Sequence, residues 1–149
     1  MPKTEFNDLD YQFSIEKVKD IPIDIKNEFK EDLSEIDKEL IKYYFDLNNN
    51  NTINYIISIE NNYIGYASIF EDEKYWNLYE IYIKKEFREL GLGTRLFELI
   101  KNDTEKVNKK IRTYTLPSDR RAKNFYESNR ITARILIMEE KRTNSRYKI

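Results

Sequence analysis

A six-residue stretch, Arg88-Glu89-Leu90-Gly91-Leu92-Gly93, constrains this chain more than any other part of its sequence. It follows a run rich in tyrosine and isoleucine, Asn77 to Ile83, which predicts a β-strand. It opens a segment whose apolar residues recur at helical spacing, at Leu92, Leu96, Leu99 and Ile100. A strand, a short turn with two glycines and a helix predict an anion cradle. Glycine lets backbone N–H groups approach a phosphate, and the helix N-terminus stabilises the negative charge.

The glycine spacing separates this turn from two common phosphate-binding motifs. It does not match G-x-x-x-x-G-K-[ST], so a P-loop is excluded. It contains only G-x-G, with Leu96 where a dinucleotide-binding fold would place its third glycine. Taken alone, the six residues leave open a simpler interpretation, a basic turn that starts a helix and binds nothing.

The same stretch resembles the R/Q-x-x-G-x-G/A signature of the GNAT family of N-acetyltransferases, with Arg88, Gly91 and Gly93 on signature positions. In that family the turn binds the pyrophosphate of acetyl-CoA. The resemblance implies that main-chain N–H groups wrap it at Arg88, Glu89, Leu90, Gly91, Leu92, Gly93 and Thr94. It also implies that the fourth strand splays from the fifth and binds the pantetheine amides through Ile81, Tyr82 and Ile83. One N–H there would stabilise the developing oxyanion.

Length and charge bound the class of protein. A chain of 149 residues predicts one domain over 1–149, with residues 1–10 expected to be flexible. Lys+Arg 26 against Asp+Glu 27 gives a net charge of −1, which disfavours a nucleic-acid partner. No apolar run approaches membrane length and no signal-peptide core precedes the domain, so a cytoplasmic protein without a membrane partner is expected.

The chain contains no histidine and no cysteine. Disulfides, thiolate and imidazole metal sites, and nucleophilic systems built on Cys-His or Ser-His-Asp are therefore excluded, and no metal is expected. Any proton transfer must use a carboxylate, a tyrosine, a lysine or water.

Apolar periodicity and turn residues predict an element order of β-α-α-β-β-β-α-β-α-β. The predicted strands are Tyr11–Ile15, Tyr55–Glu60, Tyr63–Phe70, Trp76–Ile83, Ile111–Leu116 and Ile131–Glu139. Four helices are predicted. The first begins near Pro22, the second spans roughly Leu33–Leu47, the third runs from the glycine turn to about Val107, and the fourth spans Ser118–Ser128 with Ser118 as N-cap. This order predicts an α+β domain in α/β/α layers, with a mixed, mostly antiparallel sheet. It is also the element order of the GNAT fold.

A second stretch, Asp119 to Glu127, resembles the N-x-x-A-x-x-F/L-Y pattern of many GNAT enzymes. Ala122, Phe125 and Tyr126 match it, whereas Asp119 replaces the asparagine that contacts coenzyme A in the family. The resemblance implies that Asp119 and Asn124 bind the cofactor and that Tyr126 protonates the departing thiolate. The alternative is that the aromatic pair belongs to the core of an amphipathic helix.

Attack on a thioester requires a neutral amine, and an alkyl amine with a pKa near ~10.4 is almost wholly protonated at pH 7. Without histidine, the candidate bases are Glu80, Tyr114, a water chain and, more weakly, Glu60. Strand parity predicts that Glu80 shares one face with Trp76, Leu78 and Tyr82. The alternative role for Glu80 is an exposed cross-strand ion pair.

The resemblance to the GNAT family implies an acetyl-CoA-dependent N-acetyltransferase that acts by direct attack in a ternary complex, and without cysteine no covalent enzyme intermediate is expected. Its expected partner is a small-molecule or peptide amine, and a monomer or homodimer is expected. The alternative is a non-catalytic acyl-CoA-binding regulatory module of the same fold. An acetyltransferase acting on tRNA or another nucleic acid is a third reading, which the net charge disfavours. Acidic residues from Glu31 to Glu39 fit a polyamine or lysine acceptor, but also an ordinary acidic helix start.

Overall fold

The computed structural model describes residues 3–8, 11–38 and 52–140. Its six strands are β1 (Lys3–Asp8), β2 (Tyr11–Val18), β3 (Thr52–Ile59), β4 (Asn62–Glu71), β5 (Tyr75–Ile83) and β6 (Lys110–Thr113). Its α-helices are α1 (Ile23–Ile36), α2 (Leu92–Lys106) and α3 (Arg120–Ser128), and a 3-10 turn covers Lys85–Phe87. The strands form one sheet in the order β1-β2-β3-β4-β5-β6.

The sheet is mixed. Strands β1 to β5 pair antiparallel in succession, and β6 pairs parallel to β5. Glu60 and Asn61 close the β3–β4 hairpin with φ of 46° and 72°. The predicted hairpin and the predicted α+β class with a mixed, mostly antiparallel sheet are confirmed.

Strand β6 pairs with only the first half of β5, from Tyr75 opposite Lys110 to Leu78 opposite Thr113. Beyond Leu78, β5 continues to Ile83 with β4 on one side and, within the described ranges, no strand on the other. The two parallel strands therefore part at Leu78, which leaves backbone groups at 79–83 along an open edge.

Helices cover both faces of this sheet. On one face, α2 buries Leu92, Leu96, Phe97 and Ile100 in a cluster that also contains Tyr126 of α3. On the other face, α1 buries Ile25, Phe29 and Leu33 against Tyr66, Tyr82 and Leu116. The predicted α/β/α layering is thus present.

Helix α1 is longer than the sequence analysis allowed. Its buried residues Ile25, Phe29 and Leu33 recur every four positions, so one continuous stripe faces the sheet. The predicted start of a separate helix at Leu33 is wrong, because that residue belongs to this stripe. The rest of the predicted second helix lies almost entirely outside the described residues.

The sequence pattern predicted no strand before Tyr11. Lys3–Asp8 nevertheless forms β1, which pairs antiparallel with β2 from Lys3 opposite Glu16 to Asp8 opposite Tyr11. This pairing uses main-chain hydrogen bonds, which do not depend on side-chain hydrophobicity. The flexibility expected of residues 1–10 stays a prediction.

The predicted strand Ile131–Glu139 is not formed. Residues 131–140 have no regular secondary structure, and four large apolar side chains there are 66–84% exposed: Ile135, Leu136, Ile137 and Met138. A β-strand needs a partner for its backbone groups, and β6, at one edge of the sheet, is only four residues long. In the described part of the chain, no helix is long and apolar enough to cross a membrane.

Candidate active site

The glycine turn contains two residues in the left-handed region, Glu89 with φ of 67° and Gly91 with φ of 75°. A Cβ on Gly91 would meet nothing within 4 Å. Glycine is therefore favoured there by the backbone angle and not by lack of space. Glu89 adopts a conformation that costs free energy for a non-glycine residue, a feature that clusters at functional sites.

Helix α2 begins without a side-chain cap, because its N-cap is Gly91. Its first intrahelical bond runs from the Arg95 N–H to the Gly91 carbonyl at 3.1 Å. The N–H groups of Leu92, Gly93 and Thr94 precede that bond, and an α-helix leaves such groups without intrahelical acceptors. Amides in this position, beside the positive end of the helix dipole, have the arrangement that can bind an anion, and the predicted phosphate site stays a prediction.

Gly93 serves a different purpose from Gly91. A Cβ at position 93 would lie 3.2 Å from Cε1 of Phe125 and 3.9 Å from Cγ1 of Ile83. Because Gly93 has no side chain, the ring of Phe125 on α3 can pack against the first turn of α2. Close packing is therefore a second reason for glycine at position 93, and the predicted contact of its N–H with phosphate stays a prediction.

The Arg88 side chain is held away from solvent by three groups. Its Nε donates to the Ile83 carbonyl at 2.7 Å, and a terminal nitrogen donates to Oδ2 of Asp32 at 2.8 Å. The guanidinium also lies 5.4 Å from the ring centroid of Tyr82, whose pKa burial raises to about 12. Arg88 thus connects the turn to β5 and α1.

Glu80 is 1% exposed, which excludes the exposed ion pair considered for it. Its Oε1 accepts a hydrogen bond of 2.6 Å from the Tyr66 hydroxyl. Burial raises the pKa of the Glu80 carboxyl above its ordinary value, although the Tyr66 bond and the positive charges of Lys26 and Lys30 oppose this rise. Such a carboxyl is a stronger base, once ionised, than an exposed one.

The predicted face of Glu80 is right for Tyr82 but wrong for Trp76 and Leu78, because a β-bulge intervenes. Ser68 of β4 pairs with Glu80, but the next residue, Ile69, pairs with Leu78, so β5 contains one extra residue, Tyr79. An extra residue reverses the alternation of side chains beyond it. Trp76 and Leu78 therefore join the α2 cluster, whereas Tyr82 joins the α1 cluster with Tyr66, the partner of Glu80.

Tyr66 is a residue of this site that the sequence did not predict. Its only sequence signal was its place on a predicted strand, among twelve tyrosines in the chain. Pairing β4 with β5 through a regular hairpin would have misplaced it, because the bulge shifts the register.

The sequence profile of the acetyltransferase (GNAT) domain matches residues 13–129. This chain belongs to the GNAT acetyltransferase family. Among curated proteins, none matches it significantly.

Solved structures share the GNAT fold with this chain. A putative acetyltransferase from Pyrococcus furiosus has a TM-score of 0.69 and 23% identity, over 87% of this chain and 99% of that one. A possible acetyltransferase from Clostridium difficile 630 has a TM-score of 0.65 and 19% identity, over 89% and 99%. Aminoglycoside N-acetyltransferase AAC(6')-Iy, solved with CoA, has a TM-score of 0.60 and 14% identity, over 86% and 98%.

In this GNAT protein, Tyr126 is 4% exposed within an aromatic cluster. Its ring centroid lies 5.5 Å from that of Phe125 and 6.5 Å from that of Phe97. Burial raises its pKa, and the nearby charge of Asp119 raises it further. The hydroxyl is therefore protonated at neutral pH, as a proton donor must be, and the ring also serves packing.

Two further base candidates have ordinary structural contacts in this GNAT domain. The Tyr114 hydroxyl donates to Oδ1 of Asn77 at 3.4 Å, and its ring stacks on Phe70 at 6.1 Å. Glu60 lies exposed in the β3–β4 turn and lines a surface pocket with Glu86 and Phe87. The structure does not bring Glu60 to Glu80.

Asp119, which replaces the family asparagine, is the N-cap of α3. Its Oδ1 accepts a hydrogen bond of 3.1 Å from the Ala122 N–H, so the prediction of Ser118 as N-cap is wrong. Asn124 lies on the exposed side of the same helix.

Within the described residues, no group of acidic side chains is arranged to hold a metal ion.

Proposed function

We propose that this GNAT protein transfers an acetyl group from acetyl-CoA to a primary amine by direct attack. The observation that carries the proposal is the uncapped N-terminus of α2 behind the left-handed Gly91, at the end of a strand whose outer edge is open. Family membership and the neighbour solved with CoA support the choice of cofactor.

The residues present fit a phosphate-containing cofactor. The first-turn amides at Leu92, Gly93 and Thr94 would hold the pyrophosphate, and the αL residue Gly91 leaves them uncovered. Because Arg88 is engaged by Asp32, main-chain groups supply most of this binding. The open edge of β5 at Ile81, Tyr82 and Ile83 would pair with the pantetheine amides, as an added strand pairs with a sheet edge, and the Ile83 carbonyl there also accepts from Arg88.

Bound acetyl-CoA supplies the thioester, whose carbonyl carbon accepts the amine and whose thiolate leaves. Glu80 takes the amine proton, directly or through water, as the C–N bond forms and the C–S bond breaks. Tyr66 orients the Glu80 carboxylate for this step. Tyr126 donates its phenolic proton to the thiolate. Tyr114 is the next candidate base.

Glu80 and Tyr126 lie on opposite faces of the sheet. Glu80 is hydrogen-bonded to Tyr66, which belongs to the α1 cluster, whereas Tyr126 belongs to the α2 cluster. Strand β6 pairs with β5 only as far as Leu78, and we propose that the space beyond that residue connects the two faces. A thioester in that space would have the base on one side and the acid on the other.

The acceptor that we propose is a small-molecule amine, since one neighbour is named as an aminoglycoside N-acetyltransferase. The runner-up function is a non-catalytic acyl-CoA-binding module. The observation in its favour is the depth of Glu80, which is 1% exposed and already hydrogen-bonded.

Gly91→Asp tests the cofactor site, and Gly91→Asn is its matched control. Asn and Asp both tolerate the left-handed region and nearly match in size, so they differ mainly by one negative charge beside the phosphates. Coenzyme A should raise the melting temperature of the wild type and of Gly91→Asn, but not of Gly91→Asp. Equal stabilisation of all three proteins would refute the cradle assignment.

An acceptor screen then separates enzyme from binding module. Release of the coenzyme A thiol can be followed with a thiol reagent against polyamines, amino acids, aminoglycosides, peptide N-termini and lysine peptides. The chain has no cysteine, so the protein adds no thiol background. Coenzyme A binding without release for any acceptor would favour the binding module.

A further inference from the structure

Ion pairs join the outer face of α1 to the segment that leads into the glycine turn. The Arg88 guanidinium lies 2.8 Å from Oδ2 of Asp32. Lys85 lies 4.0 Å from Oδ1 of the same carboxylate, and Lys84 lies 3.7 Å from Oε2 of Glu28. Glu28 and Asp32 are one helical turn apart, so an acidic stripe of α1 faces a basic stretch of chain.

The Arg88–Asp32 pair differs from the other two in burial and geometry. Its side chains are 21% and 23% exposed, whereas Lys85 is 65% exposed. Arg88 also donates through Nε to the Ile83 carbonyl, so its planar group is fixed at two edges. A planar guanidinium can span a carbonyl and a carboxylate in this way, whereas an ammonium is a single point charge.

We propose that Asp32 is a positioning residue for the coenzyme A turn, an inference that rests on the proposed function. Asp32 holds the Arg88 guanidinium, which in turn holds the last carbonyl of β5. The backbone from Ile83 into the turn is thereby fixed to α1. The Arg88 charge is used within the protein, so its role in cofactor binding is to shape the turn.

The same helix also reaches the proposed base. Phe29, one turn before Asp32, packs against Tyr66 and Tyr82 at centroid distances of 6.1 and 5.6 Å. Tyr66 holds Glu80. Helix α1 is thus seated on the Glu80 side by apolar packing, which does not need Asp32. Loss of Asp32 should therefore disturb the position of the glycine turn more than that of Glu80. It should weaken cofactor binding more than it lowers turnover.

Asp32→Asn tests this role, with Glu31→Gln, an exposed neighbour on α1, as matched control. We expect coenzyme A affinity, measured by calorimetry, to fall about tenfold in Asp32→Asn, the scale of one charge-assisted hydrogen bond. The kcat at saturating acetyl-CoA should stay within about twofold, because transition-state contacts are kept. Glu31→Gln should bind as the wild type does, and Asp32→Glu should recover part of the loss.

Arg88→Lys weakens the same ion pair by changing its other member. This variant tests the proposal even if Asp32→Asn folds poorly. We expect each single variant to weaken binding, and the double variant to be no weaker than the worse single, since both remove one interaction. Additive losses, or a loss in Arg88→Lys with normal binding in Asp32→Asn, would show that Arg88 meets the phosphates itself and would overturn the proposal. Absence of coenzyme A binding in the wild type would instead refute the proposed function.

Discussion

The Tyr66 hydroxyl donates a hydrogen bond of 2.6 Å to Oε1 of Glu80, and the two residues are 0% and 1% exposed. The hydrogen bond favours the ionised carboxylate, whereas burial favours the protonated form. Burial is the larger effect, and the pKa of Glu80 is therefore raised. The pair thus sets the protonation of the proposed base and leads to the first two predictions.

Glu80→Gln keeps the size of the side chain and an oxygen acceptor for Tyr66, but removes the base. We expect kcat to fall by ~100-fold or more, within the range that general-base catalysis contributes. The acidic limb of the pH–rate profile should disappear, while coenzyme A affinity stays near that of the wild type. An unchanged pH profile would transfer the role to Tyr114 or water.

The same substitution should change the dependence of stability on pH. The folded pKa of Glu80 is raised above its unfolded value, so the folded protein retains a proton that the unfolded chain has lost. The free energy of unfolding should therefore fall as pH rises from the unfolded value through the raised folded value. Chemical denaturation across that window should show a smaller fall in Glu80→Gln, and an equal fall would contradict the assignment.

Tyr66→Phe removes only the hydroxyl. Because the Tyr66 bond lowers the pKa of Glu80, its loss should move the acidic limb to higher pH. The buried acceptor also loses a partner, which should cost about 1–3 kcal/mol of unfolding free energy. Tyr63→Phe, on a half-exposed tyrosine of the same strand, is the control and should change neither property. A limb that stays in place would show that Glu80 does not limit the rate.

Gly93→Ala should destabilise the protein, because the new Cβ lies 3.2 Å from the Phe125 ring. We expect a loss of about 1–3 kcal/mol, as for an overpacked site, measured by thermal or urea unfolding. Phe125→Leu, combined with Gly93→Ala, should recover part of that loss by making room. Were Gly93→Ala as stable as the wild type, the packing role of this glycine would be wrong.

Tyr126→Phe separates the chemical role of this residue from its packing role. The ring contacts with Phe97 and Phe125 remain, so the melting temperature should change little. Loss of the proton donor should lower kcat by ~10 to 1000-fold. Full activity in Tyr126→Phe, with unfolding in Tyr126→Ala, would show that Tyr126 serves the core alone.

Local features of this chain could be predicted because their causes are local. Gly91 lies where the backbone turns left-handed, and the apolar period from Leu92 to Ile100 matches a helix that faces a sheet. The β3–β4 hairpin follows from polar turn residues between two apolar runs. Each depends on the conformational preferences of a few consecutive residues.

Segments that depend on a partner were predicted less well. Lys3–Asp8 forms a strand because β2 offers an edge, whereas the apolar residues from Ile135 to Met138 remain exposed. Hydrophobic periodicity describes which side chains prefer burial, but it does not say whether a neighbouring strand is available.

The sequence by itself determined the strand, the glycine turn and the uncapped helix that follows it, and these make the proposed phosphate cradle. Only the tertiary structure decided that the bulge at Tyr79 turns Glu80 toward Tyr66, and that Asp32 meets Arg88 across 56 positions of sequence. The physical reason is that side-chain direction along a strand alternates only while the ladder is regular. Where an extra residue enters the ladder, or where a helix crosses a turn, long-range packing makes the choice.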